Sequence, residues 1–333
     1  MSATTGTEPE AVTGWDILSA ADRIAGYVRH TPLLSSPFLD EIAGRRVLVK
    51  PECLQHTGSF KYRGARSALS AMPSADRRRG VIAYSSGNHA QGVARAAQEY
   101  GVPAIIIMPS DAPALKIANT RALGAEVVLY DRGREDRDAL GAALAEERGL
   151  SLVKPFDDPR VIAGQGSAGL EIAADARALG IEDAEVLVCC GGGGLTSGIA
   201  LALEDQMPRF RVRPVEPEGF DDARLSLEAG RITGHGGPEK GLCDAILTPA
   251  PGRLTFPILS RLCGPGLAVS DEEALRAMGL AFQRLKLVAE PGGAVALAAA
   301  LFHGKEIEAD TVIVTISGGN VDAGTFARAL DTL

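Results

Sequence analysis

The chain has 333 residues, 46% of them hydrophobic, and its 34 basic against 42 acidic side chains give a formal net charge of −8. That length provides for roughly two domains with buried cores, so no disulfide or structural metal is needed to hold them. The acidic balance argues against nucleic acid or an anionic membrane as partner, since both reward clustered Lys and Arg.

In chain order, short β-branched runs alternate with helical patterns. Strands are expected at 47–50, 81–84, 104–108, 126–129, 185–190, 211–215 and 311–316. Between them, apolar residues at i, i+3/i+4 spacing predict helices at 91–100, 115–123, 134–148, 166–179, 195–205, 221–229, 271–285 and 294–303. Ser270 followed by three acids opens one of these with a cap. Continuous apolar strands joined by helices imply an α/β protein with mostly parallel sheets covered on both faces. The compact run 75–150 reads as a small domain, and 1–74 with 151–333 as a larger one, so the two interleave. Ligand is then expected at the strand carboxyl ends, between the sheets.

The apolar runs fall far short of the roughly 20 residues that span a bilayer. The N-terminus is polar and acidic with no apolar core, so secretion is not expected. Five cysteines without CxxC spacing, two of them adjacent (Cys189 and Cys190), read as buried thiols of a cytoplasmic protein. The five histidines are isolated in sequence, which argues against zinc.

Four segments carry chemistry. In Thr57-Gly58-Ser59-Phe60-Lys61, a lysine stands beside an aromatic at a helix start; partial desolvation there lowers its pKa and makes the amine nucleophilic. Ser85-Ser86-Gly87-Asn88-His89 follows an apolar strand and opens a helix, an arrangement that points backbone N–H groups at an anion. A plain helix cap is the alternative. Gly191-Gly192-Gly193-Gly194-Leu195 lets the backbone wrap a phosphate at a helix N-terminus. It fits neither GxGxxG nor a P-loop, which weakens dinucleotide and ATP readings, and a structural glycine turn stays open. Ser317-Gly318-Gly319-Asn320 closes the strand at 311–316, where a serine can bond a ligand heteroatom or cap a helix.

Together these segments resemble the fold-type II pyridoxal phosphate enzymes, and within them the threonine/serine dehydratases, serine racemase and the 3-hydroxyaspartate dehydratases. The resemblance covers nearly the whole chain. It implies a tryptophan synthase β-like pair of open twisted sheets flanked by helices, with pyridoxal 5′-phosphate in the cleft between domains. Lys61 would carry the cofactor covalently with Phe60 flanking the ring. Asn88 would bond the ring hydroxyl, Gly191 to Leu195 would cradle the phosphate, and Ser317 would face the pyridine nitrogen. The turn Ser85, Ser86, Gly87, Asn88, His89 would bind substrate, with Ser86 serving as a second catalytic group on the opposite cofactor face.

The implied activity is β-elimination from a small β-hydroxy amino acid (serine, threonine or 3-hydroxyaspartate). A racemase and a β-replacing synthase of the cysteine synthase type are the rivals. Glu216, the Phe220 carbonyl and Asp222 match a divalent-cation site of racemase relatives; such oxygen donors suit Mg²⁺, Ca²⁺ or Mn²⁺. Arg137 aligns with an arginine that pairs a distal carboxylate in relatives, or is a helix-surface residue. Asp244 departs from the loop of those relatives and would disfavour a second carboxylate. A homodimer is also implied.

Overall fold

The computed structural model describes residues 11–333 apart from 86, 113, 132 and 237–239. Ten strands occur among the described residues: β1 (Leu34–Ser35), β2 (Arg46–Pro51), β3 (Val81–Tyr84), β4 (Ala104–Pro109), β5 (Glu126–Tyr130), β6 (Ser151–Leu152), β7 (Ala184–Cys189), β8 (Phe210–Pro217), β9 (Leu267–Val269) and β10 (Thr311–Ile316). They build a six-stranded sheet in the order β1-β2-β10-β7-β8-β9 and a four-stranded sheet in the order β5-β4-β3-β6. Every pairing is parallel except that of β1 with β2.

The central strands are the β-branched runs, and they are buried throughout, as parallel strands with helices on both faces must be. The two-residue strands and β9 are too short to show a period in the sequence. Because β6 pairs beside β3, the small sheet reaches residues 151–152, just past the segment expected to contain it. Helix Lys61–Ala71, which precedes that segment, also shares its core: Tyr62, Ala65 and Leu69 pack with Val81, Val93 and Ile106.

Helix Pro159–Ala178 starts well before residue 166, because Asp158 caps it by accepting from the Arg160 N–H at 2.9 Å and Pro159 occupies the first turn. Its glycines are contact points. A Cβ on Gly198 of helix Gly194–Gln206 would lie 2.6 Å from the Gly166 nitrogen and the Ile162 carbonyl oxygen, so only glycine lets these helices cross so closely. Helix Arg137–Arg148 starts later than residue 134, since Asp136 accepts from the N–H groups of Asp138 and Ala139. No helix among the described residues is long and apolar enough to cross a membrane.

Candidate active site

A cleft of about 910 Å³, open solvent included, lies where strands of both sheets end. Lys61 opens helix Lys61–Ala71 and points into it. The turn before this helix is pinned: the Phe60 N–H donates to the Ser317 carbonyl (3.1 Å), and Ser59 bridges Gly318. The Lys61 amine donates to the Pro155 carbonyl at 2.8 Å and stands 5.0 Å from the Phe60 ring centre. Burial lowers its pKa to about 8, with the Glu290 carboxyl pulling the other way. A fraction of the amine is therefore uncharged near neutrality, as a nucleophile requires.

Across the cleft, β3 runs into Ser85 and the helix Asn88–Tyr100. The Gly87 N–H donates to Ser85 Oγ at 3.1 Å, and Asn88 and His89 face the cleft. Ser86 lies outside the described residues. His89 is buried and shares Nε2 with the Val153 carbonyl at 2.9 Å; burial and the Lys61 charge push its pKa down to about 3, so it is neutral.

The glycine turn follows β7. Helix Gly194–Gln206 makes its first backbone bond from Ser197 N–H to the Gly193 carbonyl (2.8 Å), which leaves the N–H groups of Gly194, Leu195 and Thr196 ahead of the helical ladder. All three residues line the cleft, so the donors and the helix dipole serve an anion there. Gly193 has φ +89°, and side chains at Gly192 and Gly194 would collide with Phe156, so glycine is required by packing as well as by any ligand. The lysine amine and this anion turn fit a phosphorylated aldehyde.

Ser317 is buried behind that lining. Cys189 is the residue on the cleft surface there, its thiol donating to the Gly293 and Thr315 carbonyls at 3.3 and 3.4 Å. Cys189 and Cys190 both have thiols held protonated by burial, so they do not compete with Lys61 as nucleophiles. Arg137 is half exposed at the first turn of its helix. It pairs with Asp138 at 3.2 Å and lies 5.6 Å over the ring of Tyr84, whose own side lines the cleft. The structure thus leaves Arg137 outside the lining.

Two features were invisible in the sequence. Glu290 caps the start of helix Pro291–Phe302 and projects into the cleft, 2% exposed, accepting from Asn88 Nδ2 at 2.5 Å. Burial raises its pKa to about 7. Lys116, on helix Ala114–Ala122, meets Asp244 from the opposite side of the cleft at 2.9 Å. An acid before proline reads only as a cap, and nothing in the sequence links residues 116 and 244.

At the far end of β8, Glu216 and Asp222 are both fully buried. Glu216 accepts from the N–H groups of Ala223 and Arg224 at 2.9 Å each. Both Asp222 oxygens are buried with no hydrogen-bond partner. Burial raises both acids, Asp222 to about 7. Two buried carboxyls, one of them with both oxygens unpartnered, fit a hard cation. No group of three or more His, Cys, Asp or Glu side chains that could hold a metal occurs among the described residues.

A softened lysine amine facing an anion turn across two parallel sheets defines an α/β enzyme that holds a phosphorylated carbonyl cofactor. The comparisons agree. The family model described as pyridoxal-phosphate dependent enzyme matches residues 24–318, and the chain belongs to that family. It is 43% identical to a Pseudomonas sp. L-threo-3-hydroxyaspartate ammonia-lyase, over 95% of this chain and 97% of the relative. It is 40% identical to serine racemase of Schizosaccharomyces pombe, over 95% and 96%. Among solved structures, the T.th. threonine deaminase superposes with TM-score 0.87 at 49% identity, covering 92% of this chain and 98% of the other.

Proposed function

We propose that this chain removes water from a small β-hydroxy amino acid (serine, threonine or 3-hydroxyaspartate), and that the enamine so released takes up water again to give a 2-keto acid and ammonia. Pyridoxal phosphate, when bound, supplies the electron sink that acidifies the substrate's Cα–H. Lys61 would hold it, with Gly191 to Leu195 on the phosphate and Asn88 on the ring hydroxyl. The neutral Ser317 hydroxyl would lie opposite the pyridine nitrogen. Such a partner leaves the ring a moderate acceptor, which suits elimination, where the leaving hydroxyl quickly drains charge from Cα.

The turn from Ser85 to His89 receives the substrate carboxylate, assisted by the dipole of helix Asn88–Tyr100. The Lys61 amine takes the proton from Cα. The Pro155 carbonyl keeps that amine in place while it does so. Phe156, packed against the glycine turn, covers the phosphate end. Glu216, the Phe220 carbonyl and Asp222 hold a divalent cation, Mg²⁺, Ca²⁺ or Mn²⁺, on the same reading.

The observation that carries this proposal is the Lys61 amine, pKa about 8, beside the anion turn in one cleft. A keto-acid assay across serine, threonine and the 3-hydroxyaspartate isomers tests it. Turnover of at least one, with loss of both turnover and visible absorbance in Lys61→Ala, is expected. A purified protein that is colourless and inert towards all of them refutes the reading.

A further inference from the structure

We propose that Asn320 is a positioning residue for Asn88, fixing that amide so that its nitrogen rather than its oxygen faces the cofactor ring. The Thr57 carbonyl can only accept a hydrogen bond. Asn320 Nδ2 donates to it at 2.8 Å and to Asn88 Oδ1 at 2.7 Å, so the Asn320 amide has one admissible orientation. Asn88 is fixed in turn. Its Oδ1 is held by Asn320, and its Nδ2 is directed inward, where it meets Glu290 Oε1 at 2.5 Å.

Backbone strain supports the start of this chain. Thr57 has φ 60°, an outlier for a β-branched residue, and Gly58 follows at φ 73°. Gly58 is pressed against the same amide: a Cβ there would lie 2.8 Å from Asn320 Oδ1. The unusual turn thus delivers a carbonyl to Asn320 and leaves room for its side chain.

An ionised ring hydroxyl is an acceptor and needs a donor. Asn88 Nδ2 provides one, whereas the flipped amide would set oxygen against oxygen. The inference rests on the reading of Asn88 as the partner of the ring hydroxyl.

The test is titration of apoprotein with pyridoxal phosphate, read by calorimetry and by the visible band of the bound cofactor. Asn320→Asp keeps the shape but replaces the donor, which obliges Asn88 to turn over. It should raise Kd by about tenfold or more and move the visible band. Asn320→Ala releases Asn88 without reversing it and should weaken binding less. In an Asn88→Ala background, Asn320→Asp should add nothing. Equal weakening in both backgrounds, or an alanine variant as poor as the aspartate one, means a packing role and overturns the proposal. If Asn88→Ala by itself changes neither Kd nor the band, the reading of Asn88 fails first and takes this inference with it.

Discussion

Glu290 makes its own contribution to the pH dependence of stability calculable. Its ordinary carboxyl pKa of 4.5 is raised to about 7 in the fold, chiefly by burial. Below pH 4.5 the carboxyl is protonated in both folded and unfolded chains and has no effect. Between pH 4.5 and 7 the unfolded chain releases a proton that the folded one retains, so stability falls as pH rises, and it levels off above 7. A shift of about 2.5 units corresponds to about 3 kcal/mol. Glu290→Gln keeps an acceptor for Asn88 Nδ2 and removes the titration. Urea unfolding of cofactor-free protein at pH 5 and pH 8 reads the effect. The variant should gain on the wild type by up to about 3 kcal/mol between these two pH values. An identical pH slope in both proteins would show that Glu290 ionises normally and refute the account of this buried acid.

Three further outcomes follow from the structure and the cofactor reading. Mg²⁺ should raise the melting temperature of the wild type over its value in EDTA, and Asp222→Asn should abolish that increment; an equal increment in the variant removes Asp222 from the cation site. Gly198→Ala places a methyl against the Gly166 backbone and should destabilise by about 1–3 kcal/mol, measured by urea unfolding, while a neutral result would mean the helices separate freely. Ser86→Ala should spare keto-acid formation from L-substrates more than from D-substrates, and equal loss on both would remove the two-face role of Ser86.

The sequence displayed those parts of the site that are local. Lys61, the Ser85–His89 turn and Gly191–Leu195 each sit at a junction of strand or turn with helix, so their spacing alone announces backbone donors or a shielded amine. β3 and β10 were legible because mostly buried parallel strands read as apolar runs. Helix Pro159–Ala178 begins seven residues ahead of the predicted start at 166, and in space its glycines Gly164, Gly166 and Gly169 are the seats of crossing helices. Glu290 and the Lys116–Asp244 pair depend on contacts between remote segments, which no periodicity encodes. Arg137 shows the opposite limit. The apolar spacing over 134–148 placed it on a helix, but the neighbouring Asp138 and Tyr84 decide where the guanidinium rests.

The position of β10 has a consequence for biosynthesis. This strand, numbered tenth along the chain, lies in the interior of the large sheet between β2 and β7, and the residues just after it clamp the turn that carries Lys61. A nascent polypeptide that has emerged only as far as β9 therefore has a gap through the middle of its principal sheet and an untethered lysine. A chain shortened before residue 311 would lack both that central strand and the two backbone bonds, Phe60 to Ser317 and Gly319 to Gly58, that fasten the lysine turn.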